Sequence, residues 1–255
     1  MHTLHILRLT GHSILEQLRI EEALLRTDTR NWCIVNDGTD DAIVLGISGK
    51  VEKLICALQI QKRPIPLIRR FSGGGTVVVD RDTLFVTFIF NKAAVPMDCC
   101  YPYRIMKWSE ELYRPVIQHT SFGLKENDYV IGSRKFGGNA QYLRKERWLH
   151  HSTLLWDYDE QKMNYLLLPE KRPDYRENRT HSEFLTPLSA HLSSRTQVID
   201  SLMEQLKHRY RIHEVGLEEM GSTLQLPHRQ STRVESVEKE RPSIGASEGA
   251  VNKFI

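Results

Sequence analysis

Cysteine is scarce in this 255-residue sequence: Cys33, Cys56, Cys99 and Cys100 are the full set, with no CxxC spacing. Neither a disulfide framework nor a zinc motif follows, and a reducing intracellular compartment is the expected setting. Cytoplasm, mitochondrial matrix and plastid are not distinguished. No apolar run is long enough to cross a bilayer, and Met1 to Leu9 alternates as a strand where a secretory leader would show a basic stretch and then an apolar one. No membrane partner is expected. An excess of one charge is missing too: 35 Lys and Arg against 32 Asp and Glu leave +3, which gives no compositional case for nucleic-acid binding. There is no GxxxxGK[ST] run and no Rossmann fingerprint, so the two commonest phosphate loops are excluded. No internal repeat is visible.

What is present is a 40% hydrophobic chain able to bury one large core. Ser13 to Glu16 reads as a capping box opening a helix with Leu15, Leu18, Leu24 and Leu25 on its apolar side. Short strands are expected at Trp32–Val35 and Ala42–Leu45, parted by the Asp37-Gly38 turn signal, and a short helix over Val51–Gln59. Leu67–Phe71, Thr76–Val79 and Phe85–Phe90 read as strands, and Tyr103–Gln118 as a core-facing helix with Pro115 in its last turn. Strands are expected again near Tyr129–Ile131, Lys135–Gln141 and His151–Trp156, then an amphipathic helix over Thr196–Tyr210. The order fits an α+β fold of mixed, largely antiparallel sheets packed with helices. Residues 1–225 read as one catalytic-sized domain. Residues 226–255, rich in Ser, Glu, Arg and Gly, read as a disordered tail.

Two glycine-rich blocks hold the chemistry. The first is Arg69-Arg70-Phe71-Ser72-Gly73-Gly74-Gly75-Thr76, and the second is Gly132-Ser133-Arg134-Lys135-Phe136-Gly137-Gly138-Asn139-Ala140-Gln141. A glycine triplet between strands reads equally as a tight turn or bulge. Its neighbours favour an anion cradle, with Arg70 presenting a fork and Ser72 and Thr76 adding hydroxyls around exposed amides. Most lysines are solvated, yet Lys135 sits between close-approach glycines, where strand alternation puts Asn139 and Gln141 on its side. His150 and His151 are strand neighbours pointing to opposite faces, so they cannot chelate together. No metal site is expected; His151 with Thr153 reads as site-lining and His150 as structural. Asn127-Asp128 reads equally as a turn and as a support for the site. For Arg176 and Arg179 the sequence favours solvated ion pairs over docking of an acidic acceptor.

These blocks, with Val77 to Asp80, Asn127-Asp128 and His150-His151-Ser152-Thr153-Leu154-Leu155, resemble the biotin/lipoate protein ligase family. Within it the likeness is to the lipoate-protein ligase A and lipoyltransferase branch, close to plant-type members, over roughly residues 4 to 210. The resemblance implies activation of lipoate by ATP with Mg²⁺, through lipoyl-AMP, and transfer to one lysine of a lipoyl domain. The acceptors it implies are 2-oxoacid dehydrogenase complexes or the glycine cleavage H protein. It implies Lys135 as the catalytic cation. Arg70, Ser72, Gly73, Gly74, Gly75, Thr76, Val77, Val78, Gly138, Asn139, Ala140, His151 and Thr153 would bind substrate and adenylate, with Asp80, Asn127 and Asp128 behind them. A histidine often found before Asp80 is Val79 here.

An octanoyltransferase of the same fold would carry the acyl group on a cysteine near the lysine block, and no cysteine follows Cys100. A biotin ligase is disfavoured because its arginine- and glycine-rich loop is replaced by Arg69 to Thr76. A chain that only transfers, or only binds adenylate or acceptor, remains open. The accessory C-terminal domain typical of bacterial ligases has no counterpart in the thirty residues after 225, so an accessory subunit for activation is a further expectation.

Overall fold

The structure, a computed structural model, describes residues 1–95, 101–170 and 172–236. Cys99, Cys100 and residues 237–255 of the expected tail lie outside the described residues. In chain order the elements begin with β1 (Thr3–Thr10), α1 (Ile14–Thr27), β2 (Asn31–Asp37) and β3 (Ala42–Leu45). Two short helices, α2 (Val51–Leu54) and α3 (Ala57–Lys62), stand where one was expected. Next come β4 (Leu67–Arg69), β5 (Val77–Val79), β6 (Thr83–Asn91) and α4 (Pro102–Ile117). The strands β7 (Phe122–Lys125), β8 (Asp128–Ile131), β9 (Arg134–Leu143) and β10 (Arg147–Leu155) follow. The rest is α5 (His181–Phe184), α6 (Arg195–Arg209), β11 (Arg211–Val215), α7 (Gly221–Leu224) and β12 (Arg233–Glu235).

Eight strands form one mixed sheet in the order β11-β1-β2-β6-β10-β9-β8-β7. Its β11-β1-β2 portion is parallel and the remainder antiparallel. The smaller sheet runs β12-β4-β3-β5. Gly38 takes a positive φ of 84, as the Asp37-Gly38 step suggests, but no hairpin forms: β2 pairs with β1 and β6, while β3 pairs with β4 and β5 in the other sheet. The turn therefore changes sheets.

One face of the large sheet carries Phe88, Phe90 and Trp148 against Trp108 and Leu112 of α4 and Leu202 and Leu206 of α6. Its other face carries Trp32, Ile34, Ile89 and Leu149 against Ile20 and Leu24 of α1. Burying side chains of that size, at about 1.5–3 kcal/mol each, makes these two layers the main source of stability. Among the described residues no helix is long and apolar enough to cross a membrane.

The capping box is not made. Ser13 has no side-chain bond to the start of α1, and the Ile14 amide donates instead to Thr39 Oγ1 at 3.0 Å. A residue from the sheet-changing turn thus does the capping. The tail expectation also needs correcting as far as residue 236. Arg233–Glu235 pairs antiparallel with Arg69–Leu67, and the Ser231 and Thr232 amides donate to the buried Glu22 carboxylate at 2.9 Å. Hydropathy patterning is blind to this order because it rests on backbone bonds and charge.

Candidate active site

A cavity of about 940 Å³ opens between α1, the large sheet and the small sheet. One half is apolar, walled by Ile14, Leu18, Val44, Val77, Val79 and Phe85. Val79, where the resemblance leads one to expect histidine, thus lies among alkyl and aryl groups.

Above that wall the first glycine block folds into a loop between β4 and β5, the strands that flank β3 on either side. Arg70 is buried and does not offer a free fork as expected. Its Nε donates to Ser72 Oγ (3.1 Å) and Gly73 O (3.1 Å), and Nη2 donates to Gly73 O (2.6 Å) and Gly75 O (2.9 Å). Burial pulls its pKa down to about 10, against the pull of Glu21. Arg70 therefore shapes the loop from behind. Gly74 takes φ +98, and a Cβ there would stand 2.7 Å from Arg70 Nη2 and 3.3 Å from the Ala140 methyl. Thr76 lines the cavity with its buried Oγ1 unpartnered. Val77 faces the cavity, whereas the Val78 side chain turns to the opposite core with Ile43 and Leu67.

Beneath the loop runs a chain of polar groups that sequence reading largely missed. Ser72 Oγ lies 3.0 Å from His151 Nε2, and His151 Nδ1 lies 2.8 Å from Glu21 Oε2. Glu21 Oε1 accepts from Gln17 Nε2 (2.8 Å) and Thr87 Oγ1 (2.7 Å). The distances are satisfied by one direction of donation, Arg70 to Ser72 to His151 to Glu21, with His151 protonated on Nδ1; that tautomer is assigned from the network. Glu21 left one sequence signal. It falls on the Ile14, Leu18, Leu25 stripe of α1, where a carboxylate needs partners to be buried.

The second glycine block is β9, and its alternation is broken. Tyr129 pairs with Gly137 but Val130 pairs with Lys135, so Phe136 is an extra residue in the strand. Both Phe136 and Gly137 face the α4 core; a Cβ on Gly137 would stand 2.9 Å from Leu154 and Tyr129. Gly138 therefore shares the face of Lys135, and the cross-strand pairs Gly138–Thr153 and Ala140–His151 continue that face. Asn139 and Gln141 fall off that face, although both still line the cavity. Asn139 accepts from Ser152 Oγ at 2.5 Å and donates to Asn127 O at 3.1 Å, while Gln141 Nε2 bonds the buried His150 at 3.3 Å. The bulge reverses the side expected for both.

Lys135 bends back over Gly138, its Nζ 3.4 Å from where a Cβ would be, and pairs with Asp128 Oδ1 at 2.8 Å. Asp128 Oδ2 in turn accepts from Tyr175 OH at 2.8 Å. Asn127 lines the cavity beside them. Asp80 does not. It is held at the β5–β6 turn by Lys162 Nζ (2.8 Å), Asp82 N (3.0 Å) and the Thr83 hydroxyl (3.4 Å). Arg176, expected to be solvated, is 6% exposed and lines the cavity. Among the described residues, no three His, Cys, Asp or Glu side chains are placed to hold a metal ion.

An apolar slot that ends in a glycine loop and a lysine suits an acyl group attached to an anion. The family model of the lipoyl protein ligase A/B catalytic domain matches residues 13–210. The chain belongs to that family. It is 26% identical to a Plasmodium falciparum protein named inactive lipoate–protein ligase 2, over 82% of this chain and 70% of that one. Further curated relatives are matched over 51% of this chain and only 38% of their own length. A solved lipoate-protein ligase A bound with ATP aligns at TM-score 0.69 and 18% identity, covering 88% of this chain and 92% of that one. A Thermoplasma acidophilum bi-partite lipoate protein ligase, solved in a study with its E2 lipoyl domain, aligns at TM-score 0.71 and 19% identity, covering 88% and 91%. At those identities the structures share the fold, α+β with mixed sheets.

Proposed function

We propose that this chain attaches lipoate, through lipoyl-AMP, to a specific lysine of a lipoyl domain. The observation that carries the reading is the placement of Lys135 and the Gly73–Thr76 loop at one end of a cavity whose other half is apolar. The alkyl chain would lie along Val77, Val79 and Phe85, and the phosphate between the loop and Lys135.

In the first step a lipoate carboxylate oxygen attacks the α-phosphorus of ATP and pyrophosphate leaves. In the second, the neutral acceptor amine attacks the acyl carbon, the acyl–oxygen bond to phosphate breaks, AMP leaves, and the nitrogen gives up one proton to solvent. Negative charge grows on the acyl oxygen during that attack, and a fixed cation there stabilises the transition state more than the ground state. The Asp128 carboxylate 2.8 Å from Lys135 supports the role of a cation rather than of a base for the amine. Release from Asp128 frees it for the substrate. Mg²⁺ would arrive with the ATP phosphates and keep most of its waters. Acceptors would be lipoyl domains of 2-oxoacid dehydrogenase complexes or the glycine cleavage H protein. The solved ligase named as bound with ATP and the one named together with its E2 lipoyl domain support ligand and partner classes of this kind.

The test incubates the protein with ATP, Mg²⁺ and lipoate or octanoate, with and without a lipoyl domain, and measures adenylate and acylated lysine separately by mass. Both products are expected. Lys135→Ala should lose transfer from preformed lipoyl-AMP by about 10²-fold or more, the scale of one lost charge-stabilising donor; transfer near wild type refutes the assignment. The relative named inactive favours a second reading, a chain that only binds or only transfers. It predicts no adenylate from ATP, and synthetic lipoyl-AMP then separates the two: transfer gives acylated lysine and binding alone does not.

A further inference from the structure

Arg176 stands out among the charged groups of the cavity. It is 94% removed from solvent, its Nη2 has no hydrogen-bond partner, and its residue lines the cavity. Two contacts hold the side chain: Nε donates to Arg179 O at 3.3 Å, and the guanidinium lies 4.7 Å from the Phe184 ring centre. Those contacts fix its position. They leave one strong donor desolvated, which is unfavourable unless something else meets it.

The segment carrying Arg176 is tied to the lysine strand at several points. Tyr175 OH donates to Asp128, Arg179 Nη1 to Ser133 O (2.9 Å), Arg134 Nη2 to Ser182 O (2.7 Å), and the Thr186 amide to Lys135 O (2.9 Å). Burial and then the charges of Arg176 and Lys135 push the His181 pKa down, so both cations act on one neighbourhood. Asp128 pairs with Lys135, while Arg176 feels the like charges of Arg172 and Arg179 as well as the attraction of Asp128. Of the cavity-lining charges on these segments, Lys135, Arg172 and Arg176 stand against Glu126 and Asp128, leaving one positive charge over. A phosphodiester monoanion matches that surplus.

We propose that Arg176 is the second cation of the adenylate site, giving its unpartnered Nη2 to the phosphate that joins acyl group and adenosine, opposite Lys135. This rests on the acyl-adenylate reading above. The Arg would bind the substrate's phosphate, held in position by Arg179 O and the Phe184 ring.

Calorimetric titration of the full chain with AMP and with adenosine tests it, using wild type, Arg176→Gln and Arg176→Lys. The wild type is expected to bind AMP more tightly than adenosine. Arg176→Gln should weaken AMP at least tenfold and leave adenosine within twofold, with Arg176→Lys recovering part of the loss because it keeps the charge. Equal AMP affinity in all three proteins overturns the assignment. So does a matched loss for AMP and adenosine, which marks a merely structural arginine. Should Arg176→Gln fail to fold by circular dichroism, the Arg176→Lys comparison decides alone: AMP affinity unchanged or lost in step with adenosine overturns the assignment. If wild-type protein binds neither AMP nor lipoyl-AMP, the acyl-adenylate reading falls and this one with it; wild-type binding that the variants reproduce removes Arg176 only.

Discussion

His150 and His151 are chain neighbours with opposite surroundings. His151 borders the cavity between Ser72 and Glu21, while His150 is fully buried beside Tyr129 OH (3.1 Å) and Gln141 Nε2 (3.3 Å). Burial, and then the neighbouring His151, lower the His150 pKa from 6.5 to about 3. Between those values the unfolded chain holds a proton that the folded chain does not, so acid favours unfolding there by about 1.4 kcal/mol per pH unit. Above pH 6.5 this histidine adds no pH dependence. His150→Gln should therefore flatten the fall in unfolding free energy between pH 6 and 5 by about 1 kcal/mol, read from urea titrations at both values. Equal slopes in variant and wild type would contradict a buried neutral ring. The opposite facing of these two residues was legible in sequence, because strand alternation is local. The partners of His151 were not: Glu21 lies 130 positions away and reaches it only through the sheet.

At the scale of elements, the glycine blocks were legible as a site but not as geometry. The period-2 rule carried Asn139 and Gln141 to the wrong side, since one extra residue at Phe136 inverts everything after it. The adjacent Gly137-Gly138 pair was the available sign of a bulge. Likewise, an arginine beside three glycines suggests a free fork, yet Arg70 bonds Ser72 Oγ and the Gly73 and Gly75 carbonyls. Only the fold shows that donors are spent on the loop itself. Gly74→Ala tests that arrangement. Its Cβ would need the left-handed φ of +98 and would displace Arg70 Nη2 at 2.7 Å. The cost should be about 1–3 kcal/mol, or some 2–12 °C in melting temperature for a domain of this size. Gly73→Ala, with no heavy atom within 4 Å of its Cβ and no positive φ, should melt within a degree or two of wild type. Similar melting of the two variants would show that the loop relaxes freely and that Arg70 does not set its shape.

For the whole molecule, the order of the α+β core followed from hydrophobic period, whereas the segment after residue 226 joined it through contacts that no period reveals. Burial alone would raise the Glu22 carboxyl, but the Ser231 and Thr232 amides and Arg26 hold it below its usual range. On the neighbouring strand, Glu235 pairs with Arg69 at 2.5 Å. Arg69 Nη1 then donates to the carbonyls of Gly46 (3.1 Å), Ile47 (3.1 Å) and Gly49 (2.7 Å). The Ile47 amide donates to Ser72 O at 2.9 Å, which joins this arginine to the glycine loop. The segment is thus a clamp on one wall of the cavity. Truncation after Pro227 should expose the β4 edge and leave Glu22 with Arg26 as its main partner, at a cost of about 2–4 kcal/mol in urea unfolding. Glu235→Gln isolates the Arg69 part: it should lose about 1 kcal/mol and speed hydrogen exchange at the Ile47 amide, leaving the Glu22 contacts in place. If truncation and Glu235→Gln both leave the Ile47 amide as protected as in wild type, the segment adds stability at the sheet edge without reaching the site.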